Sequence, residues 1–410
     1  MDERNRTVQL SAAQAAARLD VKLETLYAYV SRGLLVRRRT AEGSQFDPME
    51  VERFAQKRRR SASRHAARLE ASEGSPLMVI ETEIALIEDD DLYFRGVRAV
   101  ELAASMTFES AAAFVLTGEH RSGLRFQADA SSVASARAVL DAMPAEAGIR
   151  DLLQVAVTVF GASDSLRATA EPPAVWLVAP DLLGGLVDSL PSAIGEGSEA
   201  GSLAERLWHK LSPLPPTVAR TGLVDAALIL LIEHDLAVST LAARAAASAR
   251  ATPYGVVATG LAALDSALHG RSSRACRRLI DGVVRGERPE QALAEMMRDS
   301  EHGLPGFGHP LYSGWDPRAR YLLERLEDSS ASDPVARAVR EIVEIVERRT
   351  GLHPNVDLAL AAISTAGGMR PTAAEGIFGI ARTVGWLAHA AEEYSQEPMR
   401  LRPTGRYVGS

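Results

Sequence analysis

The chain has 410 residues, 46 % of them hydrophobic and 24 % charged, which is enough for roughly two or three domains with substantial cores. A single cysteine, Cys276, excludes an intramolecular disulfide and a cysteine metal cage and points to a reducing cytoplasm. The strongest apolar run, Ala226 to Ile232, is too short to span a bilayer, and residues 1–6 hold no apolar signal segment, so no membrane role is indicated. Aromatic residues are only 5 %, and alanine runs recur at 15–17, 111–113 and 245–247. Both features favour helix over strand.

The net charge of −7 is unevenly spread. Residues 1–70 hold 15 Lys and Arg against 9 Asp and Glu, a net of +6, which leaves −13 for the rest. A basic head on an acidic body suggests a separate module with its own partner.

In chain order, residues 7–60 predict three helices. Ser11 caps the first, through Leu19, and Asp20-Val21 turns into a second from Leu23 to Ser31, which Gly33 ends. After a charged stretch at 36–43, Asp47-Pro48-Met49-Glu50 reads as a capping-box start for a third helix reaching about Arg60. Two short helices joined by a brief turn describe a helix-turn-helix. The run from Ala15 through Leu35 resembles the MerR/excisionase-type winged helix-turn-helix. That resemblance would lay the second helix in a major groove, led by Lys22, Glu24, Thr25 and Tyr27. Arg37, Arg38 and Arg39 would meet phosphates from a wing, contacts that supply salt-dependent affinity rather than sequence choice. The alternative is a helical module serving dimerisation or protein contact.

Residues 61–76 read as a linker ending in Ser75-Pro76. A strand is expected within Leu77 to Ile87, before the acidic turn Asp89-Asp90-Asp91. From Ala99 onward nearly everything reads helical, including 181–195, 222–234, 238–250, 255–268, 273–285, 317–327, 356–366 and 371–393.

Leu304 to Arg318 breaks this pattern. Glycines at 303, 306, 308 and 314, with Pro305 and Pro310, forbid a regular helix. Asp316-Pro317 then predicts a helix start that places Arg318 in the first turn, where the dipole disfavours a cation. An anion bound there by Arg318 and the free helix N–H groups would offset that cost. Three further histidine or carboxylate positions fall at helix breaks: His234, His269 and Asp357. A helix start beside His269 favours a neutral, hydrogen-bond-donating imidazole. Asp357 is expected to stay ionised near another helix start, with desolvation raising its basicity. A neutral donor facing a buried carboxylate is what enolising a thioester requires.

Several short segments, in order, carry a resemblance over about 78–409: His-Asp-Leu-Ala-Val-Ser-Thr at 234–240, Leu-His-Gly at 268–270 and Gly-Phe-Gly-His at 306–309. They continue with Asp-Pro-Arg at 316–318, Pro-Asn-Val-Asp at 354–357, Phe-Gly-Ile-Ala-Arg at 378–382 with Gly385-Trp386, and Arg-Pro at 402–403 with Tyr407. In these the chain resembles the citrate synthase family. The resemblance implies an all-α, two-domain helical fold behind the small winged module. Residues 77–268 with 363–410 would form the large domain and 269–362 the small one. It also implies a homodimer with a shared active site, no cofactor, and condensation of an acyl-CoA with oxaloacetate.

Carried across, Asp357 would remove the acyl α-proton and His269 would donate to the thioester oxygen. His309 would polarise the ketone and protonate the new alkoxide. His234, Arg318 and Arg382 would hold oxaloacetate, and Arg402 would reach the site of the partner subunit.

The chain departs from the family pattern at Arg271-Ser272-Ser273, at Pro310 and Ser313 after the loop histidine, and at the aliphatic run 358–363. The absence of a basic residue at 313 bears on CoA binding, for which Arg271, Arg274, Arg277 or Arg278 are candidates. Rival expectations are a 2-methylcitrate synthase using propionyl-CoA, and a transcription regulator sensing CoA esters or dicarboxylates. No metal-ligand spacing and no phosphate loop occur. Cys276 reads as packing, as do Trp386, His389 and Glu392, with dimer contact an alternative for these three.

Overall fold

The computed structural model describes residues 9–40, 43–58, 80–165, 167–193, 200–265, 272–299, 303–329 and 333–409. His269, Arg271 and the expected linker at 61–76 lie outside these. The chain divides into two compact units, one of Met1–Glu81, Ser272–Leu323 and Ser330–Thr365, the other of Thr82–Arg271, Glu324–Ser329 and Ala366–Ser410.

The first unit begins with strand β1 (Leu10–Ser11), helices α1 (Ala12–Arg18) and α2 (Leu23–Ser31), strands β2 (Arg37–Thr40) and β3 (Gly43–Phe46), and a helix over 48–58 (α3). Ser11 and Gln14 form a capping box that starts α1. Gly33 takes the expected left-handed conformation at φ 69°, and Asp20, in the expected turn, is left-handed as well at φ 50°. The charged stretch is a hairpin: β3 pairs antiparallel with β2 and also with β1. Leu10, Ala15, Ala16, Leu19, Leu26, Leu35, Phe46, Val51 and Ala55 close one core beneath it. Asp47 Oδ1 caps α3 through the N–H groups of Met49 and Glu50. The Glu50 carboxylate accepts from Val36 N–H, tying α3 to the lead into the hairpin.

In the same unit, α13 (Ser272–Val284), α14 (Pro289–Asp299) and α16 (Pro334–Thr350) pack on one another. Helices α15 (Pro317–Ser329) and α17 (Val356–Ala366) follow the two irregular segments that matter below.

The second unit opens with a three-stranded antiparallel meander, β4 (Ala85–Glu88), β5 (Asp91–Phe94) and β6 (Val97–Arg98). Asp89 and Asp90 both have positive φ, the turn chemistry of a tight hairpin. The expected strand therefore forms only at its C-terminal end among the described residues.

Helices α4 (Ala99–Ser105), α5 (Phe108–Thr117), α6 (Ala130–Asp141), α7 (Ile149–Ser163) and α8 (Pro172–Asp188) come next. They are followed by α9 (Leu203–Leu211), α10 (Val218–Leu230), α11 (Val238–Ser248) and α12 (Pro253–Leu264), and the unit ends with α18 (Ala373–Tyr394). α18 is buried along most of its length and packs against α5, α7, α8, α10, α11 and α12. Gly385 permits this, since a Cβ there would strike the Ile232 carbonyl oxygen.

Three helices differ from expectation by four residues or more, among them α12, which ends at Leu264 rather than 268. α8 starts at Pro172 rather than 181 and carries Pro180 inside it. α10 ends at Leu230, four residues short of the expected end, so His234 stands on non-helical backbone.

Candidate active site

In the first unit the glycine loop is built onto the segment that precedes α17. Gly306 and Gly308 have φ of +80° and +76°, which lets the loop run beside residues 353–355. Gly308 N–H donates to His353 O at 2.8 Å, Asn355 N–H to Gly306 O at 2.9 Å, and Asn355 Nδ2 to Gly308 O at 3.0 Å. Asn355 Oδ1 also accepts from Asp357 N–H at 3.0 Å. One asparagine thus sets both the loop that bears His309 and the helix start that bears Asp357.

Asp316 ties in the third group. Its carboxylate takes Arg318 Nε and Nη2 at 3.0 and 2.8 Å, Arg318 N–H at 3.0 Å, and Val356 N–H at 3.1 Å. Asp316 and Arg318 are both buried. The chain's own carboxylate is therefore a first anion at the first turn of α15, and an external anion on Arg318 would be a second. A bidentate pair of this kind fixes the guanidinium plane.

His309 Nδ1 accepts from Leu311 N–H at 3.1 Å, and its ring lies 5.0 Å from that of Tyr312. Burial and the Arg318 cation lower its pKa to about 4, against a weaker opposite pull from Asp316. At neutral pH the ring is uncharged, and with Nδ1 accepting, its proton sits on Nε2. Burial raises the Asp357 carboxyl above the usual range, and Asp316 adds to this; the Ser272 hydroxyl and Arg318 oppose it. A carboxylate of raised basicity and a neutral imidazole N–H donor are thus carried on one hydrogen-bonded frame. Cys276 is fully buried, and a Cβ at Gly306 would strike its sulfur. Burial, together with the Asp357 charge, pushes its thiol pKa well up, so it packs the loop and is no nucleophile. Arg277 pairs with Asp281 at 3.0 Å, which commits one of the cations considered for CoA.

In the second unit, His234 follows α10 and is 8 % exposed, and Arg382 on α18 is 1 % exposed. Arg382 Nε donates to Leu231 O at 2.9 Å, and its guanidinium lies 4.7 Å from the Phe378 ring centroid. Glu233, the neighbour of His234, is a further charged group that the sequence does not single out. It is fully buried, accepts from Thr240 Oγ1 at 3.1 Å, and lies 3.7 Å from His389 Nε2. Burial pushes the Glu233 carboxyl up, but Arg382 and His389 outweigh it and hold the pKa below the usual range.

His389 in turn contacts Arg244 Nη1 at 2.7 Å, and Arg244 pairs with Glu392 and Glu393. Arg400 closes the chain of charges on Glu393. His389 and Glu392 thus belong to a buried charge network rather than to apolar packing, whereas Trp386 does pack, against Gly260. Arg402 is exposed just beyond this anchor, with Leu401 N–H on Ser248 Oγ.

In the N-terminal module, Lys22, Tyr27, Arg38 and Arg39 are exposed and Thr25 is half-buried. The Arg37 guanidinium lies 5.8 Å from the Tyr27 ring centroid, so α2 and the hairpin share a face. Among the described residues no group of three or more side chains could hold a metal ion, and no helix is long and apolar enough to cross a membrane.

The profile of the family described as "Citrate synthase, C-terminal domain" matches residues 75–404. A citrate synthase of Synechocystis sp. is 27 % identical over 346 residues, covering 78 % of this chain and 86 % of the relative. A 2-methylcitrate synthase of Shewanella oneidensis is 24 % identical over 346 residues, covering 79 % and 90 %. The citrate synthase of Thermoplasma acidophilum, solved as a ternary complex with carboxymethyl coenzyme A and oxaloacetate, shares the fold at a TM-score of 0.66 and 22 % identity, over 82 % of this chain and 94 % of that one. The chain belongs to the citrate synthase family, acyltransferases that take acetyl-CoA as a co-substrate and need no cofactor.

Proposed function

We propose that the protein condenses an acyl-CoA, acetyl-CoA foremost, with oxaloacetate and then hydrolyses the thioester. The observation that carries this reading is the frame joining Asp357, of raised basicity, to His309, neutral and with its proton on Nε2. Asp357 takes the α-proton of the acyl group while His269 donates to the thioester oxygen. The enol carbon attacks the ketone carbon of oxaloacetate, whose oxygen is polarised by His309 and takes the Nε2 proton as the C–C bond forms. Water then cleaves the thioester and releases the CoA thiol. Arg318, Arg382 and His234 hold the dicarboxylate, with Arg402 supplied by the second copy of a homodimer. Residues 269–362 act as the small domain against a large domain of 77–268 and 363–410. The test is thiol release from acetyl-CoA plus oxaloacetate; purified protein that releases none overturns the reading.

The 2-methylcitrate relative supports a second reading in which propionyl-CoA is preferred. One methylene is worth only about 1–3 kcal/mol in a pocket, so the ratio of kcat/KM on the two thioesters decides it. The N-terminal module, residues 1–60, is assigned to DNA as a winged helix-turn-helix, on the exposed Lys22, Tyr27, Arg38 and Arg39 beside Arg37. Binding whose logarithm falls steeply with the logarithm of salt concentration supports this; no affinity for duplex DNA at low salt rejects it.

A further inference from the structure

The N-terminal module grips both stretches of backbone that lead into the catalytic loops of the first unit. Arg18, the last residue of α1, is buried and pairs through Nε with the fully buried Glu52 at 3.0 Å. Its other nitrogens leave the module. Nη1 donates to Met297 O at 2.6 Å and Nη2 to Gly303 O at 2.5 Å. Met297 lies in the last turn of α14, where carbonyls have no partner within the helix. Gly303, at φ +60°, opens the glycine loop six residues before His309. A second contact joins Asp47, the cap of α3, to Arg349 Nη2 at 2.7 Å. Arg349 is in the last turn of α16, eight residues before Asp357.

We propose that Arg18, oriented by Glu52, is a positioning residue for the condensation: it holds the Met297 and Gly303 carbonyls and so fixes the loop that presents His309. The module is then a working part of the first unit in addition to any nucleic acid it binds. This rests on the reading of His309 and Asp357 as catalytic groups. The physical reason is that the loop is irregular and glycine-rich, so its geometry depends on external hydrogen bonds. A displacement of about 1 Å at a reacting group costs up to roughly a hundredfold in rate. A guanidinium reaches three acceptors at once in one plane, which a lysine ammonium on a flexible stem does not.

The experiment compares the full-length wild type with Arg18→Met/Glu52→Met, which replaces the buried pair by apolar volume and avoids stranding one charge. The expected result is a fall in kcat of about tenfold or more, larger than the change in either KM. Amide exchange at Gly308 and Asn355 should accelerate together, while amides in the module core around Leu26 keep their protection. Arg18→Lys should recover part of kcat. Unchanged kcat and unchanged exchange at Gly308 and Asn355 in the folded double variant overturn the proposal, as does loosening spread equally over the whole unit. If the double variant does not fold, Arg18→Lys decides by the same readings. A wild type without thiol release removes the synthase reading instead, and exchange at Gly308 and Asn355 then decides the clamp by itself.

Discussion

The Asp316 carboxylate meets the Arg318 guanidinium through both oxygens and also takes Val356 N–H, so one side chain spans the starts of α15 and α17. Asp316→Asn leaves Arg318 buried without its counter-charge, a change worth about 3 kcal/mol of stability. It should also lower kcat/KM for oxaloacetate, as read by denaturant unfolding and thiol release on the same preparation. His309 offers a pH test. Its folded pKa of about 4 lies below the ordinary 6.5, so the unfolded chain binds the proton first as pH falls. The stability contributed by this residue is therefore full above 6.5 and is lost as pH falls toward 4. Ring resonances of His309 followed by NMR should titrate near 4, and a midpoint near 6.5 would contradict the effect of burial and Arg318 on the ring. Histidine and carboxylate identities at helix breaks were legible in the sequence. Asp316 was legible only as a cap, because its bond to Val356 spans forty positions. The pairing of Glu233 with His389 carried no local signal, since the two lie far apart in sequence and meet only in the folded chain.

At the scale of elements, capping chemistry marked most helix starts, and it failed where burial outweighed it. The helix expected from 181 begins just after Pro180, yet α8 runs through that proline because Pro172 and Pro173 already begin the helix and the residues after Pro180 are buried. The expected end of α10 lies past the observed one because Leu231 and Ile232 continue its apolar pattern. Asp225 on α10 accepts Phe108 N–H at the start of α5 at 3.0 Å. Burial still raises its pKa to about 7, with Glu109 and Glu205 adding to the shift. The folded value exceeds the ordinary 3.8, so this residue's contribution to stability declines as pH rises from about 4 to about 7 and is level above. Asp225→Asn keeps the acceptor and removes the charge. Thermal unfolding should show the variant more stable than wild type at pH 8, with the advantage shrinking to nothing near pH 4; equal melting temperatures at pH 8 would refute the buried-carboxyl account.

At the scale of the molecule, the proposed placement of Arg402 in a partner's site has a clear genetic signature. Asp357→Asn and Arg402→Ala homodimers should each be nearly inactive. Co-expressed, half of the dimers are mixed and each mixed dimer holds one intact site, so activity should return to about a quarter of wild type. No recovery from verified mixed dimers would place Arg402 in its own chain's site.

Composition and helix periodicity determined the helical class, and the ordered motifs from His234 to Arg402 the family. These are local properties: a cap, a glycine or an apolar stripe acts on its own few residues. Tertiary structure alone decided that Asp316 joins Arg318 to Val356, that Asn355 holds the His309 loop and the Asp357 helix start together, and that Arg18 reaches Met297 and Gly303. Each of those joins residues far apart in sequence, and the hydrogen bonds that make them exist only once the chain has closed on itself.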